Sequence, residues 1–164
     1  MPKLIKLAGG EFALADDPFT AVADDQDIPE GDVIISFSRF RSEGARLLGE
    51  GRRVGVRIEP AEEVEALADD LATLSVIALA FPKFRDGRAF TSAHLLSQRL
   101  AFGGEIRAVG EVLLDQAGYM VRCGFNAFEP ADGATTAQWS AAVHRHRHVY
   151  QRAADARTPA FLER

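Results

Sequence analysis

The sequence predicts an α/β protein. A parallel sheet of about five strands alternates with helices, and a short β-hairpin precedes it. Three observations carry this. Short apolar runs alternate with stretches of helical periodicity from residue 33 to residue 129, a pattern that implies right-handed crossovers and a parallel sheet. Val76 to Phe81 is apolar throughout, as expected of a central strand covered on both faces. Gly9-Gly10 separates two short strand-like runs near the start, which reads as a hairpin.

The elements follow in chain order. Residues 3–7 and 11–14 form the hairpin, and Asp16 to Glu30 reads as an exposed acidic connector. Residues 33–37 are a strand, 39–48 a helix ended by Gly49, and 53–58 the next strand. Pro60 opens a helix in which Val64, Leu67, Ala68, Leu71 and Ala72 mark the buried face. After the 76–81 strand, a helical pattern runs from Ala93 to Ala101 and stops at Gly103-Gly104. Residues 106–109 are a short strand and 111–122 a helix, with Gly124 as its left-handed closing residue. Phe125 to Glu129 is the last strand. A helix from Thr136 to about Arg152 follows, capped by Thr135 or Thr136. Five β-then-α units satisfy either an open doubly wound sheet or a partial (β/α) barrel. Residues 1–31 form the hairpin and connector, and 32–164 a single α/β domain.

Composition narrows the function. At 164 residues, with 47% hydrophobic and 26% charged residues, the chain is an ordinary globular domain. A formal net charge of −5 argues against a broad nucleic-acid surface. One cysteine makes no internal disulfide, and no signal peptide or membrane-spanning run is legible. A cytoplasmic setting follows as an expectation.

The polar residues just past each strand are Ser36, Ser38 and Arg39, then Glu59, then the 82–92 loop, then Glu111, then Glu129. Ligands of open α/β sheets gather on this rim. The loop Pro82-Lys83-Phe84-Arg85-Asp86-Gly87-Arg88-Ala89-Phe90-Thr91-Ser92 crowds three cations, one carboxylate and two hydroxyls. Arg85 and Arg88 can grip an oxyanion by paired N–H donors, Lys83 adds field, and Arg39 is a further candidate anion ligand. Gly87 permits close backbone approach, while Thr91 and Ser92 supply further donors. The same residues also suit a purely structural loop, with Asp86 as a cap and the arginines paired to Glu111, Glu59 or Glu129. Glu111 and Asp86 are the candidate acid or base groups.

Other features read as structural. Cys123, late in its helix, is expected to be a buried thiol. His144, His146 and His148 put two rings on one helical face, but the intervening arginines oppose a metal. No phosphate-loop, dinucleotide or zinc pattern is present. No cofactor is fingerprinted, although a strand-end crevice could hold a flavin.

Several motifs resemble a known family. They are Phe81-Pro82-x-Phe84-x-Asp86-Gly87-Arg88, Glu105-x-Arg107-Ala108-Val109-Gly110, Asp115-Gln116 and Arg122-Cys123-Gly124-Phe125. Together they are similar to the uncharacterised bacterial domain-of-unknown-function family 934, over roughly residues 30 to 160. Ala89, Phe90 and Thr91 stand where the family more often has Gly, Tyr and Ser, and Glu111 where it often has Asp. The resemblance implies an accessory protein or oxidoreductase of assimilatory sulfate or sulfite reduction. One alternative is a non-catalytic partner of sulfite reductase or of its electron donor, docking through the acidic connector and the arginine-rich final helix. A small barrel-like lyase or isomerase, with Glu111 or Glu129 as base, is a third reading. A small oxyanion or phosphate-bearing ligand is expected, with no nucleic acid and no membrane; a homodimer is compatible.

Overall fold

The computed structural model describes residues 3–163. A single mixed sheet of eight strands organises them, in the order β2-β1-β8-β7-β6-β5-β4-β3. Its strands are β1 (Leu4–Ala8), β2 (Glu11–Ala15), β3 (Phe19–Ala21), β4 (Asp32–Ser36), β5 (Val54–Ile58), β6 (Val76–Phe81), β7 (Glu105–Gly110) and β8 (Ala127–Phe128). From β3 to β8 all neighbours are parallel. The hairpin β1-β2 is present and continues the same sheet, β1 lying antiparallel to β8.

The parallel strands follow chain order, so the sheet lacks the reversal that defines a doubly wound fold. It is also larger than five strands. The missing strand was hidden in the acidic stretch: Asp16 to Glu30 is not merely a connector, because Phe19–Ala21 pairs with β4 and Phe19 is buried. The edge strands β2 and β3 are joined by residues 16–18 alone. Three residues hold the two edges no more than about 14 Å apart, so the sheet must curl on itself.

The helices are α1 (Phe37–Gly49), α2 (Arg88–His94), α3 (Ala117–Cys123) and α4 (Thr136–Val143). They pack on one face of the sheet, where Ile35, Val56, Leu79, Phe81, Phe125, Phe128 and Trp139 belong to one core. The opposite face carries a smaller cluster of Phe19, Ile34, Val76, Ala78, Ala80 and Val109. The short side chains of Ala78 and Ala80 on the central strand leave room inside the curl. α1 opens at Ser36, whose hydroxyl accepts the Arg39 N–H, and buries Phe40, Gly44 and Leu47 at helical spacing.

Three expected helices are shorter than their periodicity. In 60–72 only Val64–Leu67 forms a 3₁₀ turn. The Arg41 guanidinium donates to the Ala66 carbonyl, and Asp70 N–H turns to Leu67 instead. In 111–122 the first regular turn is Leu114–Gln116, followed by α3. Here Leu114 N–H is taken by the Asp132 carboxylate at 3.1 Å. α4 starts with a capping box between Thr135 and Gln138 but ends at Val143 rather than near 152. Arg157 captures the carbonyls of His146 and Arg147 at 2.6 and 2.9 Å, so His144 and His148 share no helix face. Conversely, α2 begins earlier than expected, inside the 82–92 loop, and runs into a π turn at Leu95–Arg99. Among the described residues no helix is long and apolar enough to cross a membrane.

Candidate functional site

The parallel strands place Ser36, Glu59, the 82–87 loop, Glu111 and Glu129 at one end of the sheet. The register from Phe81 to Gly110 sets β6 and β7 to end side by side. Gly110 makes this possible: at φ +94° it sits where a Cβ would lie 2.4 Å from the Phe81 carbonyl oxygen. The chain then turns Glu111 toward the neighbouring loop, and its Oε2 accepts the Phe84 N–H at 2.6 Å. Gln116 Nε2 donates to the Phe84 carbonyl at 3.3 Å. Glu111 therefore clamps the loop, and Phe84 is held from both sides of its peptide unit.

This clamp presents Pro82, Lys83, Phe84 and Arg85 outward, all exposed, with Phe84 at 39%. No ion pair among the described residues engages Lys83 or Arg85. Arg88 is differently placed. Its Nε and Nη2 donate to Asp86 Oδ1 and Oδ2 at 2.9 and 2.7 Å, a bidentate pair. Hydrogen bonding to Arg88 holds the Asp86 carboxyl below the usual aspartate range. Arg88 N–H also points to Asp86 Oδ1, and Phe90 N–H bonds the Gly87 carbonyl. The first-turn amides are thus largely used within the loop. Thr91 and Ser92 lie one turn further on, in α2.

Arg39 belongs to another structure altogether. It donates to Glu43 at 2.8 Å and to the carbonyls of Ala23 and Gln26 at 2.8 and 2.7 Å, pinning the segment after β3 against α1. Ser36 and Ser38 share a hydrogen-bonded cluster with Asp24. With Arg57, Glu59 and Glu62 they line a cavity of 470 Å³ that the 82–92 loop does not reach.

The densest charge cluster lies inside the curl, on a residue that strand-end reasoning passed over. Arg107 is 1% exposed. It donates to Asp17 at 2.5 Å, Glu105 at 2.6 Å and Glu129 at 2.9 Å, and Lys6 pairs with Glu105 at 2.7 Å. Asp17 comes from the three-residue link between the sheet edges. Arg107 faces Ala78 on β6 and Ala127 on β8, and these small neighbours make room for its guanidinium. A charged residue within Glu105-Ile106-Arg107-Ala108-Val109, beside the small residues of β6, was the available signal. Burial raises the Asp17 pKa, but the Arg107 and Phe19 hydrogen bonds outweigh it and the net shift is downward. Burial opposes the Arg107 charge, yet its carboxylates prevail and hold it more firmly protonated. Asp17 and Glu129 also line a cavity of 560 Å³ with Lys3, Leu4 and Phe19.

Cys123 is buried and free, with its thiol pushed upward by that burial. Among the described residues no group of three or more His, Cys, Asp or Glu side chains is placed to hold a metal.

The family described as "Bacterial protein of unknown function (DUF934)" matches residues 55–161. No curated protein matches the chain. The matched span starts in β5 and includes the Phe84 clamp and Arg107, and by it the chain belongs to this bacterial family of unknown function.

Proposed function

We propose that this protein is an accessory component of assimilatory sulfite reduction, and that it engages an anionic group through the loop after β6. The observation that carries the reading is the clamp on Phe84, which fixes Lys83 and Arg85 outward around a partly exposed aromatic ring. A rigid aromatic flanked by cations loses little entropy on docking, and aromatic and arginine side chains dominate binding energy at interfaces. The tip is exposed, so an anion borne by a protein surface suits it better than a free oxyanion competing with water and salt. Lys83 and Arg85 carry the charge; Arg88, neutralised by Asp86, shapes the loop. The sulfite-reduction setting, with sulfite reductase or its electron donor as partner, is supported by the motif resemblance.

Mixing the purified protein with sulfite reductase at low salt tests this. A complex is expected that dissociates as salt rises, is lost in Lys83→Glu/Arg85→Glu and survives Arg88→Ala. Absence of a complex at low salt, or indifference to the charge reversal, would reject docking through this loop.

A second reading, a small barrel-like lyase or isomerase, is favoured by one observation. Glu129 and Asp17 converge on Arg107 beside a cavity of 560 Å³. Glu129 is then the base in place of Glu111, whose carboxylate holds the Phe84 amide. Thermal stabilisation by a small hydroxy acid or sugar phosphate, lost in Glu129→Gln, would support this reading; a flat response across such a panel would remove it.

A further inference from the structure

We infer that a cleft on the helical side of the molecule binds a small planar aromatic ring carrying a phosphate, the chemistry of a mononucleotide. The cleft lies between α3, the end of α4 and the 145–157 segment, and encloses 580 Å³. That is within the range of about 300–1,000 Å³ typical of small-molecule sites. Its lining includes Gly118, Ala142 and Val143, which bring no long side chain into it. Tyr119 and Tyr150 border it at 60% and 79% exposure. The Tyr119 ring is steadied by Phe90, 4.7 Å away between centroids, so it is preset for a stacking partner.

The charge of the cleft is opposite to that of the chain. Among the described residues, Arg122, Arg145 and Arg157 line it with one carboxylate, that of Asp115, in a protein of net charge −5. Arg122 is shared with Asp155 at 3.1 Å. Arg157 donates its guanidinium N–H groups to the His146 and Arg147 carbonyls and to no carboxylate among the described residues. No ion pair among the described residues engages Arg145. Fastening of the C-terminal segment accounts for Arg122 and Arg157. It does not account for Arg145, nor for two tyrosines left in solvent beside it. Rings for stacking and guanidinium groups for a phosphate are what a mononucleotide requires. None of the loop residues 82–87 lines the cleft, so this inference and the docking proposal stand or fall separately.

Isothermal titration with AMP and with FMN tests it, using adenosine, riboflavin and inorganic phosphate as the separated halves. At least one of the two nucleotides should bind, and both its own dephosphorylated half and inorganic phosphate should bind at least about tenfold more weakly than it does. Tyr150→Ala and Arg145→Glu, both exposed, should each weaken binding by about tenfold or more while leaving Tm unchanged. No binding heat from AMP or FMN at millimolar concentration would overturn the inference. So would phosphate, or the dephosphorylated half, binding as tightly as its nucleotide, or variants that bind the nucleotide like the parent protein.

Discussion

Arg107 is the residue on which most charge converges. Its guanidinium satisfies three carboxylates at once, from β7, from the end of β8 and from the link that joins the sheet edges. Removing one member of a buried ionic cluster leaves the others uncompensated, which costs about 3–5 kcal/mol. Arg107→Ala should therefore lower stability by about that amount in a denaturant titration. Arg107→Lys should recover only a minor part, since one ammonium cannot reproduce the planar fork. A loss under about 1 kcal/mol for Arg107→Ala would show that the cluster is solvated and weak. Cys123 makes a second residue-scale prediction. Its burial and raised pKa keep the thiol protonated and inaccessible. Alkylation at neutral pH should be slow in the native protein and fast in denaturant; rapid native labelling would contradict the packing of α3.

Among the elements, the loop after β6 owes its shape to two neighbours in sequence, Gly110 and Glu111. Gly110→Ala combines a left-handed φ with a carbonyl contact at 2.4 Å, so it should destabilise by about 2–3 kcal/mol. Glu111→Ala removes the acceptor of the Phe84 N–H. That amide should exchange with solvent roughly fivefold faster or more, reflecting a local loss of about 1 kcal/mol, while core amides stay unchanged. Unchanged exchange at Phe84 would mean that the loop is held by other contacts. The elements also show where periodicity stops being informative. Uninterrupted apolar runs such as Val76–Phe81 declare themselves, because burial on two faces needs nothing further. The 60–72 segment has helical spacing too, yet a remote side chain, Arg41, takes the carbonyl that a helix would need. The five residues His144 to His148 fail as a helix for the same reason, with Arg157 as the competitor. Such captures join residues far apart in sequence and leave no local trace.

For the molecule as a whole, the closing of the curl is electrostatic as well as covalent. Asp17 has a folded pKa below its unfolded value, so its pairing with Arg107 stabilises the fold fully at pH values above the unfolded one. That contribution fades as pH falls below about 4, the ordinary aspartate value, and on through the depressed one. Acid titration of stability should show a decline in this range that is shallower in Asp17→Asn; identical profiles would remove Asp17 from the acid response. Legibility was uneven at this scale. The strand-end rim could be read from the alternation of elements, and it brings Glu111 to the 82–87 loop as adjacency of β6 and β7 requires. Pairing within the rim was not legible. Arg88 turns to Asp86 two residues away, and Arg39 turns outward to the segment after β3. The curl itself depended on β3, three residues long and embedded among aspartates, where no apolar run marks a strand. Hydrogen exchange of the protein mixed with sulfite reductase at low salt, compared with the protein alone, bears most directly on the proposed role. Slowed exchange at residues 83–85, abolished by Lys83→Glu/Arg85→Glu, is the expected result; exchange there that the partner leaves unchanged would contradict it.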